Sequence, residues 1–231
     1  MSQGISADPG SSPARLLQSL TAAGTQARKE SLPCFAERLS RLFGLGDTMK
    51  LDDALAFRSR QPGIPQSAVL QGLVQEFARN RRLLAKRIHT YGTDVDPGDH
   101  PTAEPYVHAL LATQRKIAAT TRQLRDKVRK AMQDQGQNLA RLAELDAVFD
   151  HTMASYTAQC FARVPKTLEQ RFRALETEPG GASRSGSAPG NWLHRYCEEA
   201  QSLLLAELDV RLEPVLGLLE AFHNEVSHHH E

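Results

Sequence analysis

The chain has 231 residues, long enough for one or two domains with a real core, and carries 40% hydrophobic and 24% charged residues at a net charge of +1. That balance, with a mean hydropathy of −0.43, excludes a wholly disordered chain. The longest purely apolar run, about four residues at 203–206, falls far short of the roughly 20 that a membrane-spanning helix needs.

Aromatics make up only 6% of the chain, and Ala, Leu, Arg, Gln and Glu are abundant. Unbranched side chains lose little rotamer freedom in a helix, so the composition favours helix over sheet. The first residues, MSQGISADPGSSPAR, have neither a basic n-region nor an apolar h-region, and the expectation is a polar leader over 1–12. Cys34, Cys160 and Cys197 are odd in number and widely spaced, which suits reduced thiols packed as small hydrophobes. A soluble, cytoplasmic protein is expected.

After the leader, 15–23 and 33–43 carry helical spacing, the second with Phe35, Leu39, Leu42 and Phe43 on one face. Pro33 starts that helix, and Gly44 and Gly46 end it. Asp47 then caps a short helix with Met49, Leu51, Leu55 and Ala54 facing inward, completing a small N-terminal helical unit over 13–60.

The loop Gln61-Pro62-Gly63-Ile64-Pro65 precedes a long helix from Gln66 to Tyr91. Its seam is Leu70, Leu73, Phe77, Leu84, Ile88 and Tyr91, with polar Asn80 in one place. The spacing suits a coiled coil with one polar layer, or the amphipathic helix of a bundle, since fewer than four heptads are sustained. The turn-rich segment GTDVDPGDHP, 92–101, leads to Thr102, which caps a second long helix reaching Gln135. Its seam is Val107, Leu110, Ile117, Leu124, Val128 and Ala131 or Met132, with Gln114 and Thr121 as polar steps. The pair predicts an antiparallel hairpin with arms on the order of 40 to 50 Å.

Gly136 punctuates the chain before a third helix over 137–176, whose seam is Leu142, Leu145, Phe149, Met153, Tyr156, Cys160, Val164, Leu168, Phe172 and Leu175. Pro165 predicts a kink or break near 161–164. The run EPGGASRSGSAPG makes 178–190 a flexible linker. Asn191 caps a last helix over 191–227 bearing Leu193, Tyr196, Ala200, Leu204, Leu208, Leu212, Val215, Leu219, Phe222 and Val226, bent by Pro214, with a tail at 228–231. The expected fold is all-α, an elongated helical bundle built on the long antiparallel hairpin of 61–177, with kinked long C-terminal helices.

No motif for chemistry survives inspection. Asp94, Asp96 and Asp99 look like a calcium loop only until Asp99 falls where Gly is required and Pro105 where a bidentate Glu is required. Gly44 and Gly46 lack a third glycine and a preceding strand, no phosphate-binding loop occurs, and 181–186 misses a nucleophile elbow. His194, Cys197 and Glu198 share a helical face as a partial ligand set that lacks further ligands, and His228, His229 and His230 sit at a terminus. Neither a cofactor, a metal nor an enzymatic activity is expected.

Charge is distributed unevenly. Residues 1–59 hold 7 basic and 6 acidic residues, 60–140 hold 13 and 7, and 141–231 hold 8 and 14, for net charges of +1, +6 and −6. The basic candidates are Arg79, Arg81, Arg82, Lys86 and Arg87 on one arm of the hairpin. On the other they are Arg115, Lys116, Arg122, Arg125, Lys127, Arg129 and Lys130. Antiparallel arms would set 80–87 beside 115–120 as a basic shoulder. Such a shoulder neutralises phosphates without reading base sequence, or else pairs with Glu198, Glu199, Glu207, Asp209 and Glu213 of the acidic last third. The lack of interleaved aromatics argues against single-strand stacking.

The block FAERLSRLFGLGDTMKLDDAL, 35–55, resembles the start of an uncharacterised helical proteobacterial family, with Phe35, Glu37, Arg38, Leu39, Asp47, Leu51, Ala54 and Leu55 carrying the match. The sequence departs from it at Gly44-Leu45-Gly46, where bulkier residues are expected. The resemblance implies a gene encoded beside MotA/TolQ-like and MotB/OmpA-like proteins, as in the type III Zorya anti-phage defence system. It implies an accessory protein whose partner is encoded in the same cluster, and it supplies no functional residue. The expected function is therefore assembly with a protein partner, with no small-molecule substrate and no membrane insertion. The alternative is sequence-nonspecific DNA binding through the basic arms. The sequence leaves open whether the arms pair within one chain or between two copies.

Overall fold

Apolar residues at spacings of three and four become helices, and among the described residues nothing becomes a strand, so the fold is all-α as expected. The structure is a computed structural model and describes residue 18 and residues 42–58, 63–96, 101–177 and 190–229. Its helices are α1 (Leu45–Ala56), α2 (Ser67–His89), α3 (Ala103–Met132), α4 (Gln137–Phe161), α5 (Arg163–Thr177) and α6 (Gly190–His228). The expected leader, the expected helices at 15–23 (residue 18 apart) and 33–41, Cys34, Asp99, His230 and the linker at 178–189 lie outside the described residues.

Two compact units emerge. One comprises Arg82–Ala118 and Cys160–Arg211, and the other comprises the described residues from 42 to 81, Ala119–Gln159 and those from Leu212 onward.

The first unit is built around aromatic rings. Tyr106, Phe172 and Tyr196 are buried and meet at centroid distances of 5.1 to 5.8 Å, and Trp192 stands edge-on to Phe172 at 5.1 Å. Such edge contacts add about 0.5–1.5 kcal/mol each to the stabilisation from area burial. Tyr106 takes the place expected of Val107, which is half-buried. One residue is a 100° rotation, and the large ring fills the space that valine would leave. The hairpin is antiparallel within one chain here: the Tyr91 hydroxyl donates to the Tyr106 carbonyl at 3.0 Å.

The turn after α2 requires glycine. Gly92 has φ +87°, and a Cβ there would stand 2.6 Å from the Cys197 Sγ. Gln201 of α6 donates to the carbonyls of His89 and Tyr91, both at 3.2 Å, and so satisfies acceptors that the end of α2 leaves without intrahelical partners.

The expected break after Phe161 falls where α4 ends and α5 begins. Pro165 sits in the first turn of α5, where a missing N–H is tolerated, and it leaves the Phe161 carbonyl without its donor four residues on. Gln114 Nε2 approaches that carbonyl at 3.4 Å instead.

In the second unit the hairpin register is set by two contacts. The Gln66 N–H donates to Gln135 Oε1 at 2.8 Å, and Lys127 pairs with Glu76. Gly63 lies so close to the chain at Asp134 that a Cβ would stand 2.1 Å from the Asp134 carbonyl oxygen. α2 has 23 residues, about 35 Å, shorter than the expected arm because Pro65 and Gly92 bound it.

α1 differs from expectation at its start. Gly44 is the N-cap, and Asp47 is the third helical residue, accepting from the Gly44 N–H at 3.1 Å, so Gly46 lies inside the helix. The Thr152 hydroxyl donates to the other Asp47 oxygen at 3.3 Å, turning this side of α1 toward α4. Met49, two residues or about 200° around the helix, is then exposed along with Leu55, Leu51 is half-buried, and only Ala54 of the expected four is buried.

α6 begins at Gly190, so Asn191 is helical rather than capping, and the helix continues through Pro214. All ten residues of its expected seam are buried. On α4 the expected seam is not: Leu142, Leu145 and Met153 are half-buried, and Phe149, Tyr156 and Cys160 are exposed. Leu139, Ala140 and Ala143 form its buried side.

Candidate functional site

The twelve basic candidates divide according to what they touch. Arg125 and Arg129 do not face outward. Arg125 Nε and Nη2 grip the Asp146 carboxylate at 2.8 and 2.6 Å, while its Nη1 reaches Asp150 at 2.6 Å. Arg129 bonds both aspartates at 3.1 Å and pairs with Asp126 as well. Asp146 and Asp150 are four apart on α4, so one carboxylate ladder accepts two arginines four apart on α3. The side chains of Arg125, Arg129 and Asp146 are only 13–16% exposed, and they hold helices together rather than meeting a partner. Lys127 is turned to Glu76 on α2.

The others remain at the surface. In the first unit Arg82, Lys86, Arg87, Arg115 and Lys116 are exposed, and in the second Arg79, Arg81, Arg122 and Lys130 are exposed. Apart from Arg81, these form no ion pair among the described residues. Arg82 and Lys86, four apart, share the side of α2 that points away from Leu84 and Ile88.

The acidic last helix does not neutralise them in the pairs seen. Glu199 takes a bidentate bond from Arg171, at 2.7 and 2.9 Å, and a third from Arg195, which hold its carboxyl below the usual range. Glu207 is fully buried, accepting from Gln114 Nε2 at 2.6 Å and Arg211 Nε at 2.8 Å, and burial raises its pKa above the ordinary value. The Arg211 guanidinium also lies 3.9 Å above the Phe161 ring. Gln114, read from sequence as a polar step in an apolar seam, thus joins a buried acid to the carbonyl freed by Pro165. Sequence offers no comparable signal for Glu207, which looks like one of several surface acids.

His194, Cys197 and Glu198 do not converge. His194 Nδ1 and Glu198 Oε2 are 3.5 Å apart at the surface, whereas Cys197 packs inward beside Gly92. Burial pushes the Cys197 thiol up to about 11, so its nucleophilic thiolate is scarce at neutral pH. Asp94 and Asp96 are exposed, and no group of three metal-ligating side chains occurs among the described residues.

A groove in the first unit has walls from two helices. α3 and the residues leading into it contribute Pro101, Ala103, Val107 and Leu111 with Glu104 and His108; α5 contributes Phe172 with Glu169, Arg173 and Glu176. Its volume is about 600 Å³.

Helices joined by ion ladders and capping glutamines define an all-α protein with charged and apolar surfaces but no convergent catalytic constellation among the residues singled out above. The chain belongs to the family described as "Protein of unknown function (DUF3348)", whose model matches residues 1–224. No curated protein and no solved structure matches it. No helix among the described residues is long and apolar enough to cross a membrane.

Proposed function

We propose that the protein is a non-enzymatic helical subunit that acts by assembly with a protein partner. The observation that carries this reading is the apolar side of α4. Phe149 and Tyr156, two turns apart, are 41% and 47% exposed, with half-buried Met153 between them on the same face. Phe149, a large ring left partly outside the core on a stripe shared with Met153, offers a surface suited to another protein. The resemblance of 35–55 to a family encoded beside MotA/TolQ-like and MotB/OmpA-like genes supports a defence-system accessory of the Zorya type III kind, with a partner from the same cluster and a cytoplasmic location.

The test is co-purification of the full chain with the products of its neighbouring genes, beside a Phe149→Glu variant. A stable complex recovered by the wild type and lost in the variant, whose helical content stays unchanged, is expected. A clean monomer with no neighbour bound overturns the reading.

A second reading is sequence-nonspecific DNA binding, favoured by the exposed Arg82, Lys86, Arg115 and Lys116 without ion-pair partners among the described residues. Its signature is an affinity that falls steeply with salt and weakens in Arg82→Glu/Lys86→Glu. Negligible binding at about 50 mM salt overturns it.

A further inference from the structure

The groove between α3 and α5 has the form of a helix receptor. Its α3 wall presents Ala103, Val107 and Leu111 at spacings of four, and its α5 wall presents Glu169, Phe172, Arg173 and Glu176 at i, i+3, i+4 and i+7. Two such stripes, each two turns long, line the groove, and Ala103, Val107 and Leu111 with Phe172 make its apolar floor. The rim is acidic: Glu104, Glu169 and Glu176 stand against Arg173 and His108, and Arg173 is already paired with Glu169. A helix that fits must therefore offer an apolar side chain flanked by positive charge.

This chain displays such a face. On α2, Leu83 is 56% exposed, and Lys86 and Arg87 follow it at i+3 and i+4, with Arg82 adjacent. These three cations have no ion pair among the described residues. We propose that the groove receives the basic face of α2 from a second copy of the chain, with Leu83 over the apolar floor and Arg82, Lys86 and Arg87 against the glutamate rim. This rests on the reading of the protein as an assembly subunit, but it uses a surface other than Phe149 and Tyr156. Each copy carries both halves of the contact, so neither copy needs another protein to associate.

The experiment is sedimentation velocity of the full chain over a range of concentrations and salt, with two charge-reversed variants. Glu104→Lys/Glu176→Lys reverses the rim, and Arg82→Glu/Lys86→Glu reverses the face. All four positions are exposed, and circular dichroism confirms that each variant stays helical. The wild type is expected to self-associate and to dissociate as salt rises. Each variant alone should associate at least about tenfold more weakly, because like charges then meet. An equimolar mixture of the two variants should associate again, since both faces are complementary between unlike copies.

A wild type that stays monomeric overturns the proposal, as does self-association that neither variant weakens or that the mixture does not restore. A monomeric chain that still recovers its neighbours through α4 overturns this contact while leaving the assembly reading intact.

Discussion

Helices α4 and α6 carry apolar seams of equal quality in the sequence, yet α6 buries all ten of its seam residues and α4 buries none of the six between Leu142 and Cys160. Periodicity reports that a helix has an apolar side; it does not report that the side is covered. What turns α4 is charge. Asp146 and Asp150 lie on the side that meets Arg125 and Arg129, while Leu139, Ala140 and Ala143 let the helices approach closely there. Two bidentate-capable arginines fix the rotation of the helix, and Phe149 and Tyr156 are carried outward with it.

The largest expected effect tests that contrast directly. Phe222→Ala in α6 removes a ring with no solvent exposure and should cost about 3–5 kcal/mol in urea denaturation. Phe149→Ala in α4 removes a ring that is 41% exposed and meets Phe43 edge-on at 5.2 Å, and should cost less, about 1–2 kcal/mol. Equal losses would mean that α4 is packed like α6 in solution.

A smaller effect concerns the buried acid of α6. Glu207 has a pKa raised by burial, so the folded state holds its proton more tightly than the unfolded state. The stabilisation is complete below the unfolded value of about 4.5 and is lost as pH rises through the higher folded value. Glu207→Gln removes this titration, so wild-type stability relative to the variant should fall over that rise. A difference independent of pH between about 4 and 8 would show that the carboxyl has the same pKa folded and unfolded, and so that burial does not raise it.

The smallest effect sharpens the picture of the first unit, where α2 gives way to its turn. Gly92→Ala places a side chain at positive φ and against the Cys197 sulfur, and should cost about 1–2 kcal/mol by thermal unfolding. Gly92→Ala combined with Cys197→Ala should recover the steric part and leave the backbone part. If the double variant is no more stable than Gly92→Ala, the sulfur is not in the way.

Among the basic candidates the same limit applies. Arg125, Lys127 and Arg129 look like Arg82, Lys86 and Arg115 in a charge count, and all stand near apolar seams. Asp146 and Asp150 lie about 20 residues further along the chain, and only the return of α4 against α3 brings them within reach. Gln114 was legible because a polar residue interrupted an apolar series; its partners Glu207 and Phe161 were not. The capping role of Gln201 had no local signal either.

The sequence by itself determined that the chain is helical, where most helices begin and end, that Pro165 breaks the third helix, and that two long helices follow each other as an antiparallel hairpin. Those features follow from residues near one another along the chain: periodicity, proline and glycine. Tertiary structure decided which apolar side each helix hides, which arginines are spent on aspartates, and where an acid is buried. These depend on rotations of about 100° per residue, set by contacts between helices that the chain order separates by tens of residues. The near-neutral +1 of the whole chain is thus resolved into an inward ion ladder and an outward set of cations.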